Sequence, residues 1–367
     1  MAFVAGKSLK LSIFGSSHGD LVGCSLDGLP AGLKIDEDNI RKWLSRRRPS
    51  QSEYTTQRKE KDVAEIVSGM TDGYTDGGPV TILIRNEDRI SAHYEEMRFK
   101  PRPGHGDLTL FYKYGEHRNY KGGGFLSGRM TAPLVAAGAI TTQLLDRYGV
   151  TVSSYIEKIG DARTSMTEND VGPDFAYEYK TRMPDADSDA IADGILKALL
   201  KDGDSIGGSI KTVVRSPPRG IGEPFYDSVE SSLSRMMFSI PGLKGIEFGA
   251  GFRFSGLKGS EANDVYFLEN GDVKTRSNNN GGILGGITNG MPIVFSVVMK
   301  PTSSIRKEQS TVNLKTWKED ALRIVGRHDP CIAIRAVPVV QTLTSVAIAD
   351  LMLQNQNIPR VLDDGEE

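Results

Sequence analysis

Glycine is the residue that most constrains this chain: there are 41 in 367 residues, and they are clustered. They gather beside charged and polar residues, from Gly69 to Gly78, from Gly122 to Gly128 and from Gly281 to Gly290. Glycine reaches positive φ without steric cost and lets another group approach its backbone, but it loses the most conformational freedom on folding. Such runs fit one of two purposes, a set of tight β-turns or the close grip of a ligand.

Regular elements are predicted between the clusters. Residues 9–14 read as a strand that ends at Gly15. Asp36 is placed to cap a helix with an apolar stripe through Ile40 and Leu44, and Pro49 stops it. Residues 50–61, SQSEYTTQRKEK, are too polar for a core and predict an exposed or ligand-lining loop. Strands at 63–68 and 79–85 flank the turn-rich GMTDGYTDGG. Residues 129–148 give the clearest helix, with Gly149 just past its end and alanines that predict close helix packing. A strand at 151–160, a helix at 184–201, a strand at 206–216 and a helix at 223–238 follow. Strands are predicted at 245–254 and 292–299, the second apolar and β-branched. WKEDALRIVG, 317–326, predicts a short amphipathic helix, Val337 to Met352 a last apolar helix, and PRVLDDGEE a frayed tail. Helices and strands mix without steady βαβ spacing and without a Pro/Ser-rich linker. An α+β fold of two intertwined halves is predicted over residues 1–367, rather than two separate beads.

Composition narrows the partners. The formal net charge is -2 and hydrophobic residues make up 38%, enough for a substantial core. Bulk binding to nucleic acid or an acidic membrane is not favoured, although a local basic cleft stays open. Cys24 and Cys331 form no disulfide framework and read as buried free thiols. The N-terminus lacks a signal-peptide pattern, and no stretch approaches about 18 uncharged apolar residues, so a cytoplasmic chain that does not span a bilayer is expected. No glycine cluster matches a Rossmann or P-loop fingerprint, and no histidine or cysteine spacing suits a metal.

Three settings point to chemistry. Arg46, Arg47 and Arg48 stand together at a helix end, either as a solvated terminus or as an anion clamp. Arg102, Arg129, Arg327 and Arg335 lie beside glycine and proline motifs, and a cleft collecting them suits a multiply anionic small substrate. His18 follows Ser16 and Ser17, and His105 sits in RPGHGD, where Asp107 is placed to orient the ring for proton transfer. His328 beside Asp329 reads as an acid/base pair or a capped helix end, whereas His93 and His117 read as surface groups. The run from Ser277 to Gly290, with Lys300, Thr302, Ser303 and Ser304, reads as a phosphate-binding nest or as a tight loop with a helix cap.

Taken together, these motifs make the sequence resemble the chorismate synthase family along nearly its whole length. They are FGSSHG at 14–19, DGLPAG at 27–32, RRRPSQSEYTTQRKEKD at 46–62, RPGHGD at 102–107, GGGFLSGRMT at 122–131, NNGGILGGITNG at 279–290, KPTSSI at 300–305, and GRHDPC with IRAVPV at 326–339. The resemblance implies conversion of 5-enolpyruvylshikimate 3-phosphate to chorismate and phosphate by anti-1,4-elimination, with reduced FMN and no net redox change. It implies a sandwich of two β-α-β halves with inner antiparallel sheets and outer helices, assembled as a homotetramer. His18 would protonate the departing phosphate, His105 would protonate or hydrogen-bond the reduced flavin, and Asp329 would help relay a proton from it. Arg47, Arg48, Arg102, Arg129 and Arg335 would bind substrate. Ser127, Gly128, Gly285, Lys300, Pro301, Thr302, Ser303, Ser304 and Arg327 would bind the flavin. With no separate NAD(P)H-binding domain in evidence, an external flavin reductase or reductant is expected. Three positions depart from the family's usual pattern: Ser16 for a glutamate, Phe125 for an arginine, and Gln341 for a glutamate.

Overall fold

The computed structural model describes residues 2–48, 54, 60–87, 98–324 and 328–363. Strands Val4–Ala5 (β1), Lys10–Gly15 (β2) and Leu21–Asp27 (β3) lead into helix Glu37–Arg47 (α1). Next come Ala64–Ser68 (β4), the short pair Met70–Thr71 (β5) and Tyr74–Thr75 (β6), and Val80–Arg85 (β7). Helices Asp107–Tyr114 (α2) and Thr131–Asp146 (α3) precede Thr151–Ile159 (β8), Ala162–Arg163 (β9), Ala186–Asp202 (α4) and Gly208–Arg215 (β10). Val229–Met237 (α5), Leu243–Phe248 (β11), Gly259–Ala262 (α6) and the hairpin Tyr266–Glu269 (β12) with Asp272–Thr275 (β13) follow. The chain closes with the hairpin Ile283–Leu284 (β14) and Ile287–Thr288 (β15), then Ile293–Met299 (β16), the hairpin Gln309–Asn313 (β17) and Lys318–Leu322 (β18), and Ala333–Gln354 (α7).

Two five-stranded sheets form the frame, ordered β1-β2-β3-β7-β4 and β11-β16-β10-β8-β9. Their strand pairs are all antiparallel. The fold is α+β, but its layers run opposite to the order the resemblance implied. α3 packs on β3 and β7 with one side and on α7 with another, and α7 in turn rests on β8 and β10. The helices therefore fill the space between the sheets. Their composition requires this. α3 is buried without a gap from Thr131 to Thr141, and α7 from Ala336 to Met352. A helix apolar on every side needs cover on every side, which only a middle layer supplies. β7 has a single inner face, with Val80, Ile82 and Ile84 buried and alternating with less buried residues.

α7 is also long and apolar enough to cross a bilayer, with a mean hydropathy of 1.6 over the span, yet 94% of that stretch is buried inside the fold. It is a core helix. α3 and α7 cross at Gly138, where an added Cβ would lie 2.4 Å from Thr342 Cβ and 2.6 Å from its carbonyl oxygen. Further along, Thr142 Oγ1 donates to Ser345 Oγ at 3.2 Å. Both contacts advance in the same chain direction, so the two helices run parallel and begin at the same end of the molecule.

Most predicted elements are present near their predicted bounds, and Asp36 caps α1 by accepting from the Asp38 N–H. Four expectations are corrected. Residues 318–322 are β18, not a helix. Leu322 and Ile324 are the buried apolar residues there, and their spacing of two is a strand period. The strand at 245–254 stops at Phe248, because Gly249 and Gly251 take φ +56° and +54° and turn the chain. The helix at 223–238 begins only at Val229, where the Ser228 side chain accepts from the Ser231 N–H. The tail is held through Leu362: Ala31 N donates to Arg360 O, and Leu362 N donates to Ala31 O, each at 2.9 Å. In the polar loop 50–61, Tyr54 and Glu60 are buried, while residues 50–53 and 55–59 lie outside the described residues.

The helix crossing makes a direct prediction. Gly138→Val places a branched side chain against Thr342 backbone atoms that cannot move aside, and overpacking of this kind costs about 1–3 kcal/mol. The urea midpoint is expected to fall accordingly. A midpoint equal to that of the parent would mean the crossing has slack the distances do not show.

Candidate active site

The site is built around three consecutive glycines. Gly122, Gly123 and Gly124 take φ +61°, +84° and +55°, a left-handed run closed to other residues without strain. A Cβ on Gly122 would lie 2.1 Å from His18 Cε1 and 2.2 Å from Nδ1. A Cβ on Gly123 would face His105, 3.4 Å from Cε1 and 3.5 Å from Nε2. Both imidazoles thus lie on one bare stretch of backbone. Ser17 ties the His18 turn to it: Ser17 N donates to Gly124 O at 3.2 Å and Ser17 Oγ to Gly122 O at 3.3 Å. The same hydroxyl lies 3.1 Å from His18 Nδ1.

His105 is oriented by Asp107. His105 Nδ1 is 2.7 Å from Asp107 Oδ1 and 3.2 Å from an Arg102 guanidinium nitrogen. The carboxylate contact is shorter and charge-assisted, so we assign the proton to Nδ1, which leaves Nε2 facing Gly123. Arg102 grips the same carboxylate twice, Nε to Oδ2 at 2.7 Å and a terminal nitrogen to Oδ1 at 2.9 Å. Burial opposes the charge on Asp107, but the bonds from Arg102 and His105 outweigh it and hold its pKa far below the usual carboxylate range.

The strip Lys300 to Ser304 closes on this group. Ser303 Oγ donates to Gly104 O at 2.9 Å, Lys300 Nζ donates to Ser303 Oγ at 2.7 Å and also to Gly104 O, and Arg102 reaches Ser304 Oγ at 3.4 Å. Thr302 Oγ1 donates to the Asp329 carbonyl at 2.9 Å. The Asp329 side chain pairs with Arg335 at 2.9 Å, and Arg335 Nε reaches Arg47 O at 3.4 Å. His105, Arg102, the Lys300–Ser304 strip, Asp329 and Arg335 are therefore contiguous. Burial, and then the charge of Lys244, lower the Lys300 pKa, and no carboxylate among the described residues pairs with either lysine. An anion would relieve that excess of positive charge. Behind Ser304 and Asp329 opens a cavity of about 490 Å³, bordered by Leu199, Leu200, Ile305 and His328. Burial pushes the His328 pKa down, and its Nε2 finds no partner among the described residues.

Two predicted substrate arginines are engaged elsewhere. Arg47 is buried, with its guanidinium on Asp62 at 2.8 Å, Thr131 Oγ1 at 3.2 Å and Gly128 O at 3.3 Å. Burial lowers its pKa to about 10 even with Asp62 beside it. Arg129, also buried, gives its nitrogens to Asp62, Asn86 Oδ1 and Arg85 O. In this structure both hold protein groups rather than facing a ligand. Arg48 is exposed just past α1.

Of the predicted flavin residues, Ser127 caps the turn at Gly128–Met130 by accepting from Arg129 N at 3.2 Å, and the Gly128 carbonyl accepts from Thr131 and Arg47. Pro301 lies within the strip. Gly285 is not brought to the site. It forms the β14–β15 turn, where the neighbouring Gly286 O accepts from Val229 N at 3.0 Å. That hairpin precedes β16 and Lys300 follows it, so the strand's length of about 20 Å separates them. The predicted nest between this loop and Lys300 does not form. Arg327 lies outside the described residues.

The three departures from the family pattern have structural settings. Ser16 presents its carbonyl to Asn86 and to Gly19 N. Phe125 stacks edge-on with Phe3 at 5.6 Å and Tyr114 at 6.1 Å. Gln341 is buried, accepts from Tyr177 OH at 2.9 Å and donates to Val152 O and Pro173 O. A glutamate could not make the two donations. Sequence reasoning missed Asp62 and Asn86. Asp62 ends the 46–62 motif, whereas Asn86 follows β7 with no signal around it.

Comparison with known proteins fixes the family. The profile described as chorismate synthase matches residues 9–353. The chain belongs to the chorismate synthase family. It is 40% identical to the chorismate synthase of Korarchaeum cryptofilum over 352 residues, covering 96% of this chain and 98% of that protein. It is 42% identical to that of Archaeoglobus fulgidus over 357 residues, covering 97% and 99%, and 43% identical to that of Microcystis aeruginosa over 353 residues, covering 96% of each. A solved structure described as a crystal structure of chorismate synthase superposes with a TM-score of 0.75 at 27% identity, covering 96% of this chain and 93% of that one. As a chorismate synthase family member the chain is an enzyme of the lyase class, in aromatic biosynthesis.

The geometry sets two expectations. Gly122→Ala drives a methyl group into the His18 ring at a strained φ, so activity should fall at least about 100-fold, the scale of a 1 Å misplacement, while far-UV circular dichroism is unchanged. Near-normal activity would show that the ring relocates freely. The depressed Asp107 pKa gives the second. Its stabilisation is complete above the unfolded carboxyl value of about 3.9 and is lost as pH falls below that toward the folded value. The stability gap between the parent and Asp107→Asn, measured by urea unfolding, should therefore shrink from pH 5 toward pH 2. A gap independent of pH would remove Asp107 from the ion pair.

Proposed function

We propose that this chain eliminates phosphate from 5-enolpyruvylshikimate 3-phosphate to give chorismate, an anti-1,4-elimination that uses reduced FMN without net redox change. The observation that carries the reading is the convergence of His18 and His105 on one triglycine backbone, with Asp329, Arg335 and Lys300 contiguous to His105. α3 and α7 also begin close by, and helix N-termini favour anions.

The residues suit a flavin mononucleotide. Lys300, which pairs with no carboxylate among the described residues, matches a phosphate group together with the Ser303 and Ser304 hydroxyls. The cavity's Leu199, Leu200 and Ile305 match an apolar ring system. When bound in reduced form, that cofactor would supply electron density to the substrate and accept the hydrogen lost from C6. His18 donates a proton to the departing phosphate. His105, held by Asp107, presents Nε2 to hydrogen-bond the flavin. Asp329, oriented by Arg335, moves a proton at its carboxylate. Arg48, Arg102 and Arg335 offset the phosphate and the two carboxylates of the substrate.

Residues 1–367 work as one catalytic unit of two pseudo-repeated halves, and an external flavin reductase or chemical reductant supplies the electrons. A cytoplasmic setting agrees with two buried free thiols, which burial pushes up to about 12. A homotetramer agrees with the exposed apolar side chains Val265, Tyr266, Leu268 and Val273 on and beside the β12–β13 hairpin, a surface suited to a second copy.

The test is anaerobic turnover with dithionite-reduced FMN, following chorismate and phosphate together. Equal amounts of both, with far more turnovers than flavin molecules, are expected. Bound flavin without product would make this chain a catalytically silent relative. His18→Ala and His105→Ala should each cut turnover strongly in a folded protein, and normal rates in both would remove their roles.

A further inference from the structure

We infer that Asn86 is the positioning residue for His18, an inference that rests on the function proposed above. Asn86 is buried at the end of β7 and touches the His18 turn three times. Its Nδ2 donates to Ser16 O at 3.0 Å and Gly19 O at 2.8 Å, the two carbonyls that bracket Ser17 and His18. Its backbone N–H donates to Asp20 O at 3.1 Å. The turn closes on itself through Gly19 N and Ser16 O at 3.1 Å.

The orientation of the carboxamide is fixed. Asn86 Oδ1 accepts from Arg129 Nε at 2.9 Å. Arginine can only donate, so the oxygen must face Arg129 and both amide hydrogens must face the turn. Arg129 itself cannot swing away, because its other nitrogens are held by Asp62 and by Arg85 O. The clamp therefore runs from a buried ion pair through one amide to the backbone on either side of His18. The His18 ring has no slack on its far side, where the Gly122 backbone lies within the space a Cβ would fill. A turn released on the Asn86 side would carry the ring off that backbone, and a displacement of about 1 Å at a reacting group can cost about 100-fold in rate.

Three substitutions grade the contact. Asn86→Asp keeps an oxygen for Arg129 but sets a carboxylate against two carbonyls. Asn86→Ser retains one donor, and Asn86→Ala removes the clamp. Two readouts are taken. The first is kcat and KM for 5-enolpyruvylshikimate 3-phosphate with reduced FMN. The second is the ring 13Cε1–1H spectrum of the histidine-labelled full chain, in which five histidines give five signals and His18→Ala assigns one. kcat should fall about 10–100-fold in Asn86→Asp and less in Asn86→Ser, with KM within about threefold. The His18 signal should shift or broaden in both, while the His105 signal, held by Asp107, stays in place. If Asn86→Ala does not fold, the aspartate and serine variants carry the test.

An unmoved His18 signal in Asn86→Asp, or a kcat within about twofold of the parent, overturns the inference. So does an equal shift of His18 and His105, which would mark a general loosening of the fold. The spectrum needs no turnover. A parent chain that made no chorismate would defeat the proposed function, and the two ring signals would still decide the role of Asn86.

Discussion

Gly138 lets α3 and α7 run closer together than two side chains would permit, and both sheets are built outward from that contact. The crossing also fixes the site. Because the helices run parallel, their N-terminal ends lie on the same side of the molecule. The residues just before α3 are Ser127 to Met130, and those just before α7 include Asp329. One packing distance in the core thus sets how far Arg129 and Thr131 stand from Asp329 and Arg335. The positive ends of two buried helices point toward the same region, where their field is little screened by water. An anionic ligand there is favoured before any side chain is counted.

Arg47, Arg129 and Asp62 form a second constraint, and its energetics explain their burial. An isolated charge in the core is costly, and a buried pair is stable only when its remaining hydrogen-bonding groups are satisfied. Asp62 accepts from both arginines. Burial raises its pKa, but the two guanidinium groups outweigh that and bring it below the ordinary value. Their terminal nitrogens and Arg129 Nε also reach Thr131, Gly128 O, Asn86 and Arg85 O, while Arg47 Nε is buried without a partner among the described residues. A continuous line of polar contacts results, from the His18 turn through Asn86, Arg129, Asp62 and Arg47 to Arg335 and Asp329. The fold uses charge to hold the two sides of the site in register, and Arg47 and Arg129, committed to Asp62, are not available to neutralise substrate.

Much of this was legible in the sequence where a local signal dominates. Asp36 marks the start of α1, the alanine-rich run marks α3, and the β-branched run marks β16, because capping, propensity and strand shape act over a few residues. His105 and Asp107, two residues apart, announced their contact. The layer order was not legible, because whether a helix lies inside or outside depends on which sheets close over it. Nor was the engagement of Arg47 and Arg129, since their shared partner Asp62 is a long-range contact. WKEDALRIVG has a helical stripe, but its residues Lys318–Leu322 pair with Gln309–Asn313 and form a strand.

The glycine clusters show the same limit from another side, because each answers to a different physical demand. Around Gly69 to Gly78 the chain makes a tight loop, with Gly69, Gly73 and Gly77 at positive φ and Asp76 N donating to Gly69 O at 3.2 Å. From Gly281 to Gly290 the demand is backbone against backbone. A Cβ on Gly281 would lie 2.6 Å from Gly249 N, and one on Gly282 would lie 2.5 Å from Pro292 O. In the cluster from Gly122, the demand is functional: Gly122 and Gly123 admit the rings of His18 and His105. Turn and site are therefore not competing explanations for this composition. A glycine records that something comes close to the backbone, and what comes close is decided by elements distant in the chain.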